Sequence, residues 1–254
     1  MTDLKNETTK TGVRLSADFR DNLIIDRYDP VFVNMRASKM KHLRSENSED
    51  AVTWNVFRSL RQIEPAVWLP ELVRRGLPNV VDLACERAAL SLWLSVNPPS
   101  ALLVEGDEGA SEIDVVIEAP SWVWFIEAKY RSDISTGTTT RPLRDQVLRN
   151  IDVGSYYAGV RKFYFSLLVA SAERSPIGAE TVKRYQDLEA VRSQLRGHRP
   201  DGLANLNAVT LLTWPDLAAV LTAAIGSVRR RDESGYAERA LAWMQGKGLG
   251  ASMS

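Results

Sequence analysis

The sequence predicts an α/β protein whose central mixed β-sheet has about five strands and is flanked by helices. Two observations support this prediction. Short apolar runs rich in β-branched and aromatic residues read as strands, and segments with helical periodicity precede, separate and follow them. The predicted strands cover residues 101–105, 111–118, 122–130, 162–170 and 208–214.

The chain divides into a mostly irregular, partly flexible N-terminal extension, residues 1–46, and a single domain, residues 47–254. Asn47 is a suitable N-cap for the first domain helix, with Asp50 at its third helical position. An apolar stripe then marks the buried face of this helix: Val52, Val56, Leu60 and Ile63. Further helices are predicted over 65–75, 80–96, 142–157, 179–196, from 215, and over 236–245.

Composition excludes several classes of protein. Among 254 residues, 32 Lys and Arg balance 32 Asp and Glu, which argues against a surface that is basic throughout but is compatible with a local basic groove. The single cysteine, Cys85, rules out an intrachain disulfide, and the two histidines lack zinc-ligand spacing. Residues 203–225 are apolar but interrupted by polar residues, so we expect no membrane span and a cytoplasmic location.

The most informative feature is a hairpin formed by the strands 111–118 and 122–130. Because side chains alternate along a strand, Glu127 and Lys129 share one face. A short turn near Pro120 places Asp114 opposite residues 125–127, so Asp114 and Glu127 are direct or diagonal cross-strand neighbours. The sequence therefore predicts two carboxylates and an ammonium group at one end of the sheet.

Two carboxylates that lie this close repel each other unless a cation separates them. Mg²⁺ and Mn²⁺ prefer oxygen ligands, and a lysine beside such an ion can orient water or stabilise developing negative charge. An E-x-K sequence on a strand is often only a solvated face. Here it ends the apolar run Trp122 to Ile126, which is typical of a central strand and favours a functional site.

Asp114, a hairpin and then Glu127-Ala128-Lys129 together resemble the PD-(D/E)XK, or restriction-endonuclease-like, nuclease superfamily. The resemblance covers about residues 47–170, half of the chain, and departs from the motif at Ile113, where proline is usual. It implies a restriction-endonuclease-like core and hydrolysis of phosphodiester bonds in nucleic acid, with DNA as the expected substrate. Roles in restriction, phage defence or repair would all suit such an enzyme.

The resemblance also implies roles for the residues of the motif. Asp114 and Glu127 would bind Mg²⁺ or Mn²⁺, with the Ala128 carbonyl as a third ligand, and Lys129 would position the attacking water. A homodimer would be favoured if both strands of a duplex are cut.

Many members of the superfamily carry a further glutamate on the first core helix, and two residues are candidates here. Glu49 lies on the face of the apolar stripe, where it would join the metal site or merely complement the helix dipole. Glu86 is the rival if the helix predicted over 80–96 lies beside the sheet.

A glutamine on the helix after the E-x-K strand also occurs in RecB-like nucleases. Gln146 and Asn150 share a helical face with Leu143, Val153 and Tyr157. Amides on a mostly apolar face need partners, which either an active site or the backbone would provide. We therefore expect Gln146 to complete the catalytic set.

The same residues are also compatible with a protein that is not an enzyme. A nucleic-acid-binding or regulatory module could keep this fold without cleaving its ligand. Retained buried charges argue against that alternative, because an unused ionic cluster costs stability.

Overall fold

The computed structural model describes residues 6–104, 109–137 and 144–250. Two short strands and two 3₁₀ turns precede the main elements: β1 (Glu7–Thr8), β2 (Arg14–Leu15), and turns at Phe19–Asn22 and Pro30–Phe32. The main strands are β3 (Ala89–Val96), β4 (Ser111–Ala119), β5 (Trp122–Ala128), β6 (Lys162–Val169) and β7 (Leu206–Thr213). The helices are α1 (Ala37–Leu43), α2 (Glu49–Leu60), α3 (Pro65–Gly76), α4 (Ser100–Val104), α5 (Gln146–Ala158), α6 (Pro176–Tyr185), α7 (Leu188–Leu195), α8 (Trp214–Ser227) and α9 (Arg231–Gly246).

The five main strands form one mixed sheet in the order β3-β4-β5-β6-β7. The first three strands make an antiparallel meander, and β6 and β7 then add in parallel. β5 lies at the centre and is buried along its whole length, as its continuous apolar run predicts. The predicted α/β class with a five-stranded mixed sheet is therefore confirmed.

Helices cover both faces of the sheet because alternate residues of the central strands point in opposite directions. Trp124 and Ile126 belong to a core shared with α2, α3, α8 and α9, whereas Val123 and Phe125 belong to a core shared with α5, α6 and α7. Two apolar layers thus hold β5 in place, and its carboxyl end meets helices from both sides.

The first strand of the meander differs from the prediction. Residues 80–88 are irregular and Ala89–Val96 is a strand, although a helix was predicted over 80–96. The sequence from Ala89 to Val96 fits both periods, and pairing with β4 decides in favour of the strand. The strand predicted over 101–105 is also wrong for residues 101–104, which the structure describes, because Ser100–Val104 is helical.

Several boundaries also differ from those predicted. Ser48, rather than Asn47, caps α2 by accepting a hydrogen bond from the Ala51 N–H, so Asp50 is the second helical residue. The helix predicted over 179–196 is two helices, α6 and α7, separated at Gln186–Asp187. Pro142, the predicted start of the next helix, lies outside the described residues. Within the described part of the chain, no helix has the length and apolarity needed to cross a membrane.

The N-terminal segment packs closely on the domain from Phe19 onward. Phe19 and Phe32 are buried against Trp54 of α2 and Trp93 of β3, and the indole N–H of Trp54 donates to the Ile25 carbonyl at 2.9 Å. Within the extension that was predicted to be partly flexible, the part from Phe19 onward is therefore packed on the domain. This packing fixes α1 beside the amino end of α2.

Candidate active site

The hairpin brings the two predicted carboxylates together. Val115 pairs with Ile126, so the next pair in this register is Asp114 opposite Glu127. The Ala128 N–H donates to Asp114 Oδ2 at 2.9 Å, which ties the Asp114 side chain to the end of β5. The predicted cross-strand register is confirmed.

Lys129 follows β5 directly and lies among carboxylates. Its Nζ donates to Glu127 Oε1 at 2.7 Å, to Glu49 Oε1 at 3.2 Å and to the Ala128 carbonyl at 3.1 Å. Glu127 is 4% exposed and Lys129 is 7% exposed, so this ion pair is buried. A solvated strand end would leave both groups in water. The interpretation of the E-x-K sequence as a merely solvated face is therefore wrong.

Glu49 reaches the same cluster from the first turn of α2. Its Oε2 accepts hydrogen bonds from the Tyr130 N–H at 2.9 Å and from the Ser132 hydroxyl at 2.8 Å. Glu86 is instead an exposed residue of the irregular segment before β3, because the helix that would have carried it does not form. Of the two candidates, Glu49 is the one that lies at the site.

Two amides from α5 complete the shell of Glu127. Gln146 Nε2 donates to Glu127 Oε1 at 2.6 Å, and Asn150 Nδ2 donates to Glu127 Oε2 at 2.7 Å. One helical turn separates the two amides, so both project from the same face of α5. Gln146 thus points at the cluster as predicted; Leu143, expected on the same face, lies outside the described residues.

Ser132 is a contact that sequence reasoning missed as a site residue. It belongs to a polar loop after the E-x-K strand, and only its position three residues beyond Lys129 suggests proximity to the site. Its bond to Glu49 required the packing of α2 against the end of β5.

Burial and charge shift the pKa values of this cluster. Burial, reinforced by the nearby Glu127 carboxylate, raises the pKa of Asp114 well above its usual range. Burial alone would lower the pKa of Lys129, but the carboxylates of Glu127, Glu49 and Asp114 outweigh it and raise that pKa. Lys129 is therefore an ammonium ion at neutral pH, and the carboxylates outnumber it.

The donor set can be compared with the needs of Mg²⁺ or Mn²⁺. No group of three or more His, Cys, Asp or Glu side chains is arranged to hold a metal within residues 6–104, 109–137 and 144–250. Mg²⁺, however, commonly uses only one or two carboxylates and keeps several waters. Asp114, Glu127 and the Ala128 carbonyl supply oxygen donors of that kind at one end of the sheet.

Five side chains thus meet at one end of the sheet. β4 supplies Asp114, the end of β5 supplies Glu127 and Lys129, and the first turns of α2 and α5 supply Glu49 and Gln146. Chemically, this arrangement offers oxygen ligands for a hard cation beside a fixed positive charge.

Comparison with models of known protein families gives no match, and neither does comparison with curated proteins. Among solved structures, this chain is similar to a crystal structure described as a protein of unknown function, AF1548. The two share 15% sequence identity over 72% of this chain and 97% of that chain, with a TM-score of 0.22. A likeness at this level carries no argument about fold or function.

Proposed function

We propose that this protein is a Mg²⁺- or Mn²⁺-dependent nuclease that hydrolyses phosphodiester bonds, with DNA as the expected substrate. The observation that carries the proposal is the placement of Asp114 directly opposite Glu127, with Lys129 in contact with Glu127. The order α2, the β3–β5 meander, α5 and β6 supports a restriction-endonuclease-like core, because it follows the layout of the superfamily that the sequence resembles.

In this proposal Asp114, Glu127 and the Ala128 carbonyl hold the metal ion. A bound divalent ion would polarise the phosphoryl oxygen and lower the pKa of a bound water. Gln146 and Asn150 orient Glu127 by donating to its two oxygens, and they prevent the carboxylate from rotating. Glu49 stays an accessory candidate; both of its oxygens accept hydrogen bonds from the chain.

Lys129 acts as a cation rather than as a base. Its pKa is raised, so at neutral pH its Nζ carries hydrogen-bond donors and no free lone pair. A donor of this kind orients the attacking water and stabilises the negative charge that develops on the phosphoryl group.

The proposal is tested by incubating the purified protein with single-stranded and duplex DNA and RNA, with Mn²⁺ or with EDTA. We expect metal-dependent cleavage that Asp114→Asn and Lys129→Met reduce at least a hundredfold. Glu118→Gln is the matched control. Glu118 lies on the same strand as Asp114 but at the opposite end of that strand, where it accepts hydrogen bonds from Tyr157 and Arg161. Cleavage that survives in the Asp114 and Lys129 variants would refute the assignment of the site.

One observation favours a silent binding module as the second candidate. Lys129 already acts as an internal counter-ion to Glu127 and Glu49, so the cluster is partly neutralised without a metal. Under this alternative, the protein binds nucleic acid equally well with EDTA and with Mn²⁺, and no product forms in either condition.

A further inference from the structure

Two adjoining cavities flank the candidate active site. The larger has a volume of about 630 Å³ and includes Gln146 and Asn150 in its lining; the smaller, of about 500 Å³, includes Glu49 and Ser132. His42, at the end of α1, lines both. Asp50 of α2 also lines both, and we call the two together the α1 cleft after the helix that carries His42.

Three arginines line the α1 cleft without a carboxylate partner. Arg36 and Arg149 line the larger cavity and Arg131 lines the smaller one, and none of them forms an ion pair with a residue that the structure describes. The Nε of Arg149 is buried and has no hydrogen-bond partner among the described residues. Guanidinium groups without a carboxylate partner along a cleft are typical of sites that bind phosphate.

Lys39 shows the contrast within the same cleft. Its ammonium group pairs with Asp50 at 3.1 Å and also with Glu112, and it lies 4.2 Å from the ring centre of Trp93. Lys39 therefore fastens α1 to α2 and β4, and the arginines remain available for a ligand. The wall formed by α1 is a fixed part of the cleft.

A fixed wall restricts what can reach the reacting groups. Glu127 and Lys129 lie below the surface, with exposures of 4% and 7%. A single strand enters a recess between α1 and α5 more readily than a rigid duplex does, because it is flexible and its phosphates are accessible from all sides.

We infer that the α1 cleft binds the sugar–phosphate backbone of a single nucleic-acid strand, with Arg36, Arg131 and Arg149 as its phosphate contacts. The inference rests on the proposed function, since Glu49 and the two amides that bond to Glu127 line the cleft. A single strand needs only one active site per scissile bond, so this substrate does not require a dimer.

The test measures binding and not cleavage. Fluorescence anisotropy in EDTA, across a series of salt concentrations, gives the affinity for labelled oligothymidylate, oligouridylate and a blunt DNA duplex. We expect a single strand to bind more tightly than the duplex, and the two single-stranded probes report whether the sugar matters. The triple variant Arg36→Gln, Arg131→Gln, Arg149→Gln should bind the single strand at least tenfold more weakly. It should also reduce the slope of log affinity against log salt by about 2, the share of three phosphate contacts on a single strand.

The matched control removes three exposed arginines that line neither cavity: Arg27→Gln, Arg61→Gln and Arg229→Gln. This control has the same net charge as the triple variant, so equal losses of affinity in both would overturn the inference. Tighter binding of the duplex than of either single strand would also overturn it. EDTA prevents metal-dependent cleavage, so binding is measured separately from activity. Single-strand binding in EDTA with no cleavage in Mn²⁺ would refute the nuclease proposal and leave the cleft assignment intact. A triple variant that cleaves and binds with unchanged affinity would refute the cleft assignment and leave the nuclease proposal intact.

Discussion

Replacing Lys129 with Met should separate the stability, metal affinity and catalytic rate of this protein. The Nζ of Lys129 lies 2.7 Å from Glu127 Oε1, and the two side chains are 9% and 4% exposed. At an effective dielectric constant of about 20, that contact is worth about 6 kcal/mol of gross Coulomb attraction. Desolvation offsets part of this, and breaking a buried pair by removing one partner costs about 3–5 kcal/mol. We therefore expect Lys129→Met to lower the free energy of unfolding in EDTA by about 3–5 kcal/mol.

Mn²⁺ should then stabilise the Lys129→Met variant more than it stabilises the wild type. The variant leaves three carboxylates without their cation, so the ion meets no competing positive charge. Tenfold tighter binding would appear as about 1.4 kcal/mol of additional stabilisation. The cleavage rate should fall by about 10²–10³ at the same time, because a charge aimed at the developing oxyanion is lost.

Denaturant unfolding with EDTA and with Mn²⁺, beside single-turnover cleavage, measures all three quantities. Glu127→Gln is the control, since it removes a proposed ligand and should abolish the stabilisation by Mn²⁺. Equal stability of Lys129→Met and wild type in EDTA would show that the ion pair is not buried as described. Weaker stabilisation of Lys129→Met than of wild type by Mn²⁺ would show that Lys129 does not compete with a metal.

Three further predictions concern the surroundings of the site and the core. Gln146→Ala removes a hydrogen bond to the charged Glu127 and should cost about 1.5–3 kcal/mol of transition-state stabilisation, measured as a fall in kcat/KM with little change in melting temperature. Burial alone would raise the pKa of Asp152, but bonds from His198 and arginines outweigh it and lower that pKa. Asp152→Asn should therefore destabilise the protein by about 3–5 kcal/mol at neutral pH. The gap from wild type should close as the pH falls through the lowered pKa, because wild-type Asp152 is then protonated as well; a gap that is constant with pH contradicts this. Gly154→Ala would place a Cβ 2.1 Å from the Phe163 ring, so denaturant unfolding should show a loss of about 1–3 kcal/mol or more.

The packing of the N-terminal segment could not be predicted from the sequence. Residues 21–46 have no clean helical or strand period, so nothing local predicts that Leu23 and Leu43 are fully buried. Their burial comes from an aromatic cluster with Trp54 and Trp93, which are distant in sequence. Arg36 and His42 consequently passed unnoticed as cleft residues, because their relevance depends on where this packing places α1.

Local alternation and a short turn determined the central part of the site in advance. A period of two places Glu127 and Lys129 on one face, and a tight hairpin leaves little freedom in register, so Asp114 opposite residues 125–127 follows from the sequence. The structure then selects Glu127 from that range. Tertiary structure decided what local pattern cannot. The residues of β3 fit a helix as well as a strand, and hydrogen bonding to β4 selected the strand, which also removed the helix that Glu86 would have needed. The choice of Glu49, the contact with Ser132 and the enclosure of the site by α1 all depend on contacts between residues far apart in the chain, and such contacts leave no periodic signal in sequence.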